Sequence, residues 1–265
     1  MRKSLFFMSA VILFSISAFA NDDASNDMTL EQAIANPARN TSFVARDASR
    51  HPLQELRFFG LKPDMVVVEI WPGKGYWTEI LAPYLHNHGT YYMALPRDDS
   101  SKDLDLMLAD KTIYGNVKLT HFGKETSEIA PAESVDAVLT FRNLHNWLKA
   151  GYQDSALRTI YKALKPGGIL GLEDHRGLAD VPQDQQTADG YVQEQFTIDL
   201  AKKAGFEYVS SSPINNNPKD TKRWPKGVWT LPPTFALGAT DRAKYEAIGE
   251  ADNFVLLFKK PISSN

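Results

Sequence analysis

The residues best equipped for chemistry fall at three places: Glu69 with Trp71, Gly73 and Gly75; Asn143 with His145; and the run Asp174-His175-Arg176. At the first, the strand-like Val66-Val67-Val68-Glu69-Ile70 enters Trp71-Pro72-Gly73-Lys74-Gly75 and then a helix start at Tyr76-Trp77-Thr78-Glu79. Two glycines let the backbone turn tightly and approach a ligand, and the helix behind them aims unpaired N–H groups at it. That is the layout of a nucleotide-type cofactor site. A dinucleotide-binding turn keeps its acid at the end of the next strand, roughly 20 residues on, whereas Glu69 immediately precedes the glycines. His145 brings the side chain best suited to exchange a proton near neutral pH, or else it packs beside Trp147 as a satisfied loop residue. Asp174-His175 either forms an oriented base or is held by Arg176 through a salt bridge to Asp174, and the second reading is preferred.

These residues need elements to position them. Thr29-Leu30-Glu31-Gln32 has the form of a capping box and starts a short helix that Asn36-Pro37 stops. A second helix opens at Pro52 and closes at Gly60, with Leu53, Leu56, Phe58 and Phe59 on its apolar face. After the first strand, further strands are expected at 90–95, 117–121, 135–140, 168–173, 206–210 and 253–259. Helices are expected at about 76–85, 154–164 and 191–204. Strands alternating with helices predict a parallel, doubly wound sheet that binds ligands at the strands' carboxyl ends, where all three groups of residues fall. The stretch 213–233, rich in Pro, Asn, Lys and Trp, reads as a long loop with a function or with mobility.

The motif Glu69-x-x-x-Gly73-x-Gly75, the strand Asp136-Ala137-Val138-Leu139-Thr140 with Phe141-Arg142-Asn143-Leu144-His145 after it, and the turn Leu164-Lys165-Pro166-Gly167-Gly168 resemble the class I S-adenosylmethionine-dependent methyltransferases. The resemblance spans roughly residues 65–260. It is nearest to the predicted methyltransferases that carry signal peptides, in which an acid-Ile-x-Pro-Gly-x-Gly motif and an Asp-His-Arg after the fifth strand recur. It implies a Rossmann-like, mostly parallel seven-stranded sheet with helices on both faces. It further implies S-adenosyl-L-methionine as cofactor and methyl transfer to a small-molecule acceptor by in-line displacement. Glu69, Trp71, Gly73 and Gly75 would then meet the cofactor, and Asn143 and His145 the substrate, with His145 as base or orienting group. Trp71 stands where the family has a glycine, and its indole either stacks on the adenosine or sulfonium or fills part of the pocket. Leu95-Pro96-Arg97 stands where the family has an acid for the ribose hydroxyls, with Asp98 and Asp99 slightly late.

Two other readings stay open: a non-catalytic periplasmic ligand-binding protein on the same fold, and a nicotinamide-dependent oxidoreductase. The latter needs an acid after the second strand and a third glycine where Thr78 stands.

The first twenty residues read as a signal peptide: Arg2 and Lys3, the apolar run 5–19, and Ala18-Phe19-Ala20 as the cleavage site, with Asn21 as the mature start. Residues 21–62 then form a helical extension and 63–265 the methyltransferase-like domain, in a periplasmic or secreted protein without stable membrane insertion. Cleavage leaves 27 basic and 32 acidic residues, a formal charge of −5. The cluster Lys219, Lys222, Arg223, Lys226 is interleaved with Pro and Asp, so no nucleic-acid surface is expected. There is no cysteine, which excludes a disulfide framework, a lipidated-cysteine anchor and a thiol nucleophile. His86-x-His88 lacks a third ligand nearby, and no metal is expected. Arg46-Asp47 and Arg50-His51-Pro52 read as a solvated helix start with local charge pairing, or as part of a lid. Nothing in the sequence specifies an oligomeric state.

Overall fold

The structure is a computed structural model and describes residues 28–96 and 102–262. The expected signal peptide, the cleavage point before Asn21, and Asp98 and Asp99 lie outside the described residues. Four short helices come first: α1 (Leu30–Ile34), α2 (Thr41–Val44), α3 (Asp47–Arg50) and α4 (Pro52–Phe58). Thr29 and Gln32 form the expected capping box at the start of α1. Pro52 sits in the first turn of α4, where its missing N–H leaves no bond unmade.

Strands and helices then alternate as β1 (Val66–Ile70), α5 (Thr78–Leu85), β2 (Thr90–Leu95), α6 (Lys102–Ala109), α7 (Lys111–Tyr114), β3 (Lys118–His121) and β4 (Val135–Phe141). The chain continues through α8 (Leu144–Lys149), α9 (Gln153–Ala163), β5 (Leu164–His175), α10 (Glu194–Lys203), β6 (Glu207–Ser212), β7 (Pro225–Val228), α11 (Arg242–Ile248) and β8 (Asn253–Lys259). Seven of the strands form one sheet in the order β3-β2-β1-β4-β5-β8-β6. All pairs are parallel except those of β8, which runs antiparallel to both β5 and β6. The order reverses between β1 and β4, so the loops after these two strands diverge and leave a crevice at the sheet's carboxyl edge.

Alternation along each strand splits the core between the two faces. Val68, Ile70, Val138, Leu170 and Leu172 meet Trp147, Leu157, Ile160 and Ala201 from α8, α9 and α10 on one face. On the other face Val67, Met93, Leu139 and Val255 meet Ala33, Leu56, Ile80 and Leu81 from α1, α4 and α5. This is the Rossmann-like sheet, mostly parallel and covered on both faces, that the sequence predicts.

β5 is longer than the expected 168–173. The proline-glycine turn is absorbed as an irregularity in its pairing with β4, and β8 pairs with it as far as His175. Asp136, at the start of β4, binds Val66 N at 2.8 Å and Lys165 Nζ at 2.6 Å, so it fastens the amino edge of the sheet, away from the crevice. The expected loop at 213–233 contains β7, and a small cluster of Tyr191, Val228, Leu231, Tyr245 and Ala251 holds this part of the chain in place. No helix among the described residues is long and apolar enough to cross a membrane.

Candidate active site

A cavity of about 330 Å³ occupies the crevice. β1 and the loop after it supply Glu69, Trp71 and Gly73; β4 and the residues after it supply Arg142, Asn143 and His145; and β5 supplies His175. Helices α2 and α3 cross one side with Phe43, Arg46 and Arg50, while Trp229, Pro232 and Pro233 close another. Five of the six expected site residues thus meet in one cavity. Gly75 does not line it.

Both glycines are left-handed, at φ 60° for Gly73 and 96° for Gly75, but they serve different neighbours. A Cβ on Gly73 would meet nothing within 4 Å and would project into open space beside the cavity wall, so this backbone is free for a ligand to approach. A Cβ on Gly75 would collide with Met107, so this glycine lets α6 pack against the turn. Trp71 is left-handed as well, at φ 50°, a conformation that favours glycine. Its indole Nε1 donates to Phe122 O at 2.9 Å and its ring meets Phe122 edge-on, so it is pinned across the ends of β1 to β3.

Glu69 is 1% exposed. Its Oε2 accepts from Thr78 Oγ1 at 2.9 Å and from the Tyr91 hydroxyl. Burial pushes the carboxyl from 4.5 up to about 7, with the bonds from Tyr91 and Thr78 restraining the rise. The N-terminal helices clasp the glycine loop: Tyr76 Oη donates to Asp47 at 2.6 Å, Asp47 pairs bidentately with Arg39, and Asn40 N donates to Glu79.

After β4, Asn143 Nδ2 donates to Ile70 O at 2.9 Å and to Thr140 Oγ1 at 3.2 Å, so it stitches the end of β1 to β4. His145 lies beyond it, 6% exposed. Its backbone N donates to Asp174 Oδ2, and its Nδ1 lies 2.9 Å from Asp174 Oδ1. Asp174 also accepts from His175 N at 2.8 Å. Burial alone would raise the Asp174 carboxyl, but His145, through charge and hydrogen bonds, outweighs it and holds the carboxyl below its ordinary value. An ionised acceptor fixes the His145 tautomer with the proton on Nδ1, which leaves Nε2 with its lone pair. Nε2 has no hydrogen-bond partner among the described residues.

The His145 ring is 5.3 Å from that of His175 and 6.3 Å from that of Trp229, and Trp147, its neighbour in the alternative reading, packs against Phe122. Asn253 Nδ2 donates to Glu173, so Asn253 Oδ1 is the acceptor for His175 Nδ1 at 2.7 Å. Burial lowers the His175 imidazole to about 3 and keeps it neutral.

Arg176 does not pair with Asp174. It lies just past the end of β5 and reaches Glu194 and Asp252 instead, while the buried Asp174 is taken by His145 and the His175 N–H. One ligand atom each from His145, Asp174 and His175 lie within 4.8 Å of one another, the one grouping among the described residues with metal-ligand chemistry. The three N–H donors on Asp174 favour an oriented imidazole at this place. His86 Nδ1 lies 3.1 Å from Ile113 O, a contact between the turn after α5 and α7.

Two features escape the sequence reading: the Asp174–His145 pairing, and Arg50, which is 3% exposed and lies on the cavity wall rather than in solvent. His51-Pro52 directly after Arg50 was the available cue, since a helix end turning there carries Arg50 inward.

No family profile matches the sequence, and no curated protein matches it. Solved structures do resemble it. A SAM-dependent methyltransferase from Aquifex aeolicus superposes with a TM-score of 0.57 at 15% identity, over 82% of this chain and 93% of that one. The [4+2]-cyclase SpnF gives 0.57 at 15% identity over 82% of each chain. The YcgJ protein of Bacillus subtilis gives 0.52 at 16% identity over 78% of this chain and 97% of that one. A cyclase among these neighbours shows that the scaffold does not dictate the reaction. At such identities the likeness is one of fold, and the chain has the Rossmann-like fold found in S-adenosylmethionine-dependent methyltransferases.

Proposed function

We propose that the protein transfers a methyl group from S-adenosyl-L-methionine to a small-molecule acceptor, with His145 as general base. The observation that carries this reading is one cavity holding both the open backbone at Gly73 and the Asp174–His145 pair. Gly73, Glu69 and Trp71 would hold the donor, whose sulfonium supplies the methyl group. Asp174 orients the imidazole and stabilises its protonated form, and Nε2 takes the proton from an acceptor O–H, N–H or S–H as the new bond forms. Trp229, Pro232 and Pro233 supply an apolar wall on one side of the cavity for that step.

Titrating the mature protein with S-adenosylmethionine and its demethylated product by calorimetry tests the donor site. Gly73→Val puts a branched side chain into the open space and should abolish binding while the circular-dichroism spectrum is retained. Unchanged affinity in a folded variant would move the site elsewhere.

A ligand-binding protein without catalysis is the second reading. It is favoured by the internal bonds that already occupy Glu69, Trp71 Nε1 and Asn143 Nδ2. Donor binding without any acceptor labelled from periplasmic extracts would support it. Arg2, Lys3 and Ala18-Phe19-Ala20 support export to the periplasm. Mass spectrometry should find Asn21 at the start of the mature chain, and recovery of only the full-length form from cytoplasm would refute export.

A further inference from the structure

Three guanidinium groups, from Arg46, Arg50 and Arg142, lie on the cavity wall around a single acid, Glu250. Arg46 takes both carboxylate oxygens, with Nε to Oε1 at 2.7 Å and Nη2 to Oε2 at 2.7 Å. Arg142 Nη1 adds a bond to Oε2 at 3.1 Å. Arg50 is left with an Nε to Oε2 approach of 3.8 Å, which is too long for a hydrogen bond.

The surroundings of Arg50 offer nothing better. Its guanidinium lies 4.3 Å over the Tyr76 ring, which attracts the charge but accepts no N–H in the plane of the fork. Its Nε is shielded from solvent and has no partner, and no other carboxylate is within ion-pair reach of it among the described residues. Asp47, three residues before it, is committed to Arg39 and Tyr76. Glu69, the other acid on the wall, is held by Thr78 and Tyr91. An arginine cannot relieve such burial by losing its proton, as a lysine can. Buried charges in folded proteins are paired, and an unpaired one calls for an explanation. Here three permanent cations meet one anion on the cavity wall, and Arg50 lines that cavity without a hydrogen bond from its guanidinium among the described residues.

From this we infer that the Arg50 and Arg142 side of the cavity is an oxyanion subsite that takes the carboxylate of the acceptor, so the acceptor is a small organic acid. The assignment rests on the methyl-transfer reading of the cavity. The arginines converge on Glu250, three residues before β8, and Arg142 follows β4. The Arg142 and Glu250 side of this subsite lies at the β4, β5 and β8 end of the crevice with His145 and His175, and Arg50, over Tyr76, reaches it from the side of the glycine loop that follows β1. A carboxylate held by a bidentate fork at Arg50 would fix the acceptor's orientation relative to His145 Nε2. The donor carries a carboxylate as well, so the test separates the two sources.

Tryptophan fluorescence, with Trp71 and Trp229 on the wall as reporters, would follow titration of the mature full chain with benzoate, with its neutral isostere benzamide, and with S-adenosylhomocysteine. Wild type should prefer benzoate to benzamide by tenfold or more. Arg50→Gln should erase that preference and leave S-adenosylhomocysteine affinity within about threefold. Arg50→Lys should recover part of it, as charge without the fork. If Arg50→Gln does not fold, Arg142→Gln carries the same expectation. Equal binding of benzoate and benzamide by wild type, or a preference that survives Arg50→Gln, overturns the subsite. A tenfold loss of S-adenosylhomocysteine affinity in Arg50→Gln, with 5′-methylthioadenosine binding unchanged, would assign the arginine to the donor and overturn the acceptor assignment. Absence of S-adenosylhomocysteine binding in a wild type that still prefers benzoate defeats the methyl-transfer reading and leaves the oxyanion subsite standing.

Discussion

Replacing Glu69 by glutamine isolates the electrostatic state of the acid that opens the glycine loop. The carboxyl is raised from 4.5 to about 7, chiefly by burial. A raised carboxyl keeps its proton in the folded chain after the unfolded chain has lost its own, so ionisation favours unfolding as pH climbs through this window. Stability contributed by the protonated group is present in full below the ordinary value and is lost as pH rises through about 7. At about 1.4 kcal/mol per decade of proton affinity, the gap is worth about 3 kcal/mol. Glutamine keeps an oxygen for Thr78 and Tyr91 and never ionises, so any cost of its extra amide donors does not vary with pH. Urea unfolding of both proteins at pH 4.5, 6, 7 and 8 gives the difference in stability. That difference should move in favour of Glu69→Gln by about 3 kcal/mol between pH 4.5 and 8, with other titrating groups cancelling. A difference that stays flat to within about 1 kcal/mol would show that Glu69 ionises as freely in the folded chain as in the unfolded one, and the account of its burial would fall.

His145→Ala and Asp174→Asn should each lower turnover by roughly 10²- to 10⁴-fold while donor affinity, read by calorimetry, changes little; a histidine with only a structural role would lower thermal stability and leave the rate per folded molecule intact. Lys260 Nζ donates to Leu164 O at 2.8 Å, Tyr161 O at 3.1 Å and Glu133 at 3.0 Å. Lys260→Met should therefore cost about 2–4 kcal/mol in denaturant unfolding, because two carbonyls lose a charged donor. Glu55 is fully buried, its Oε1 has no partner, and burial with the nearby charge of Glu173 holds its carboxyl well above the ordinary value. Glu55→Gln should gain stability relative to wild type as pH rises from 5 to 8, and equal melting temperatures across that range would refute this.

The glycine loop was legible because everything that makes it lies within a dozen residues: an apolar β-branched run, two glycines and a helix start. The sheet was legible for a similar reason, since the period of each strand is local and the alternation of elements fixes the class. The pairing of His145 with Asp174 was not, because it depends on strand register. Phe141 stands opposite Glu173 across β4 and β5, which brings Asp174, near the end of β5, to the residues that follow β4. Asp174 read with Arg176 because they are close in the chain, whereas its actual partner comes from the helix after β4 and the partners of Arg176 are Glu194 and Asp252. Asn143 lines the cavity, and its amide donor also closes the ends of β1 and β4, a tie that depends on the pairing of those strands. Arg50 read as solvated because its partners, Tyr76 and Glu250, come from the glycine loop and from the far end of the chain.

Strand β8 runs against its neighbours, so its beginning rather than its end meets the cavity. In the sheet β6 pairs with β8 alone, and β8 lies between β6 and β5 although it is made after both. A growing chain that has already produced the glycine loop, His145 and the three arginines still lacks Glu250, the acid that gathers those cations. It also presents β5 as an uncovered edge until the last strand slides in. The order of synthesis therefore delays the pocket: the cations on its wall stay without their shared carboxylate until the segment leading into β8 has been made.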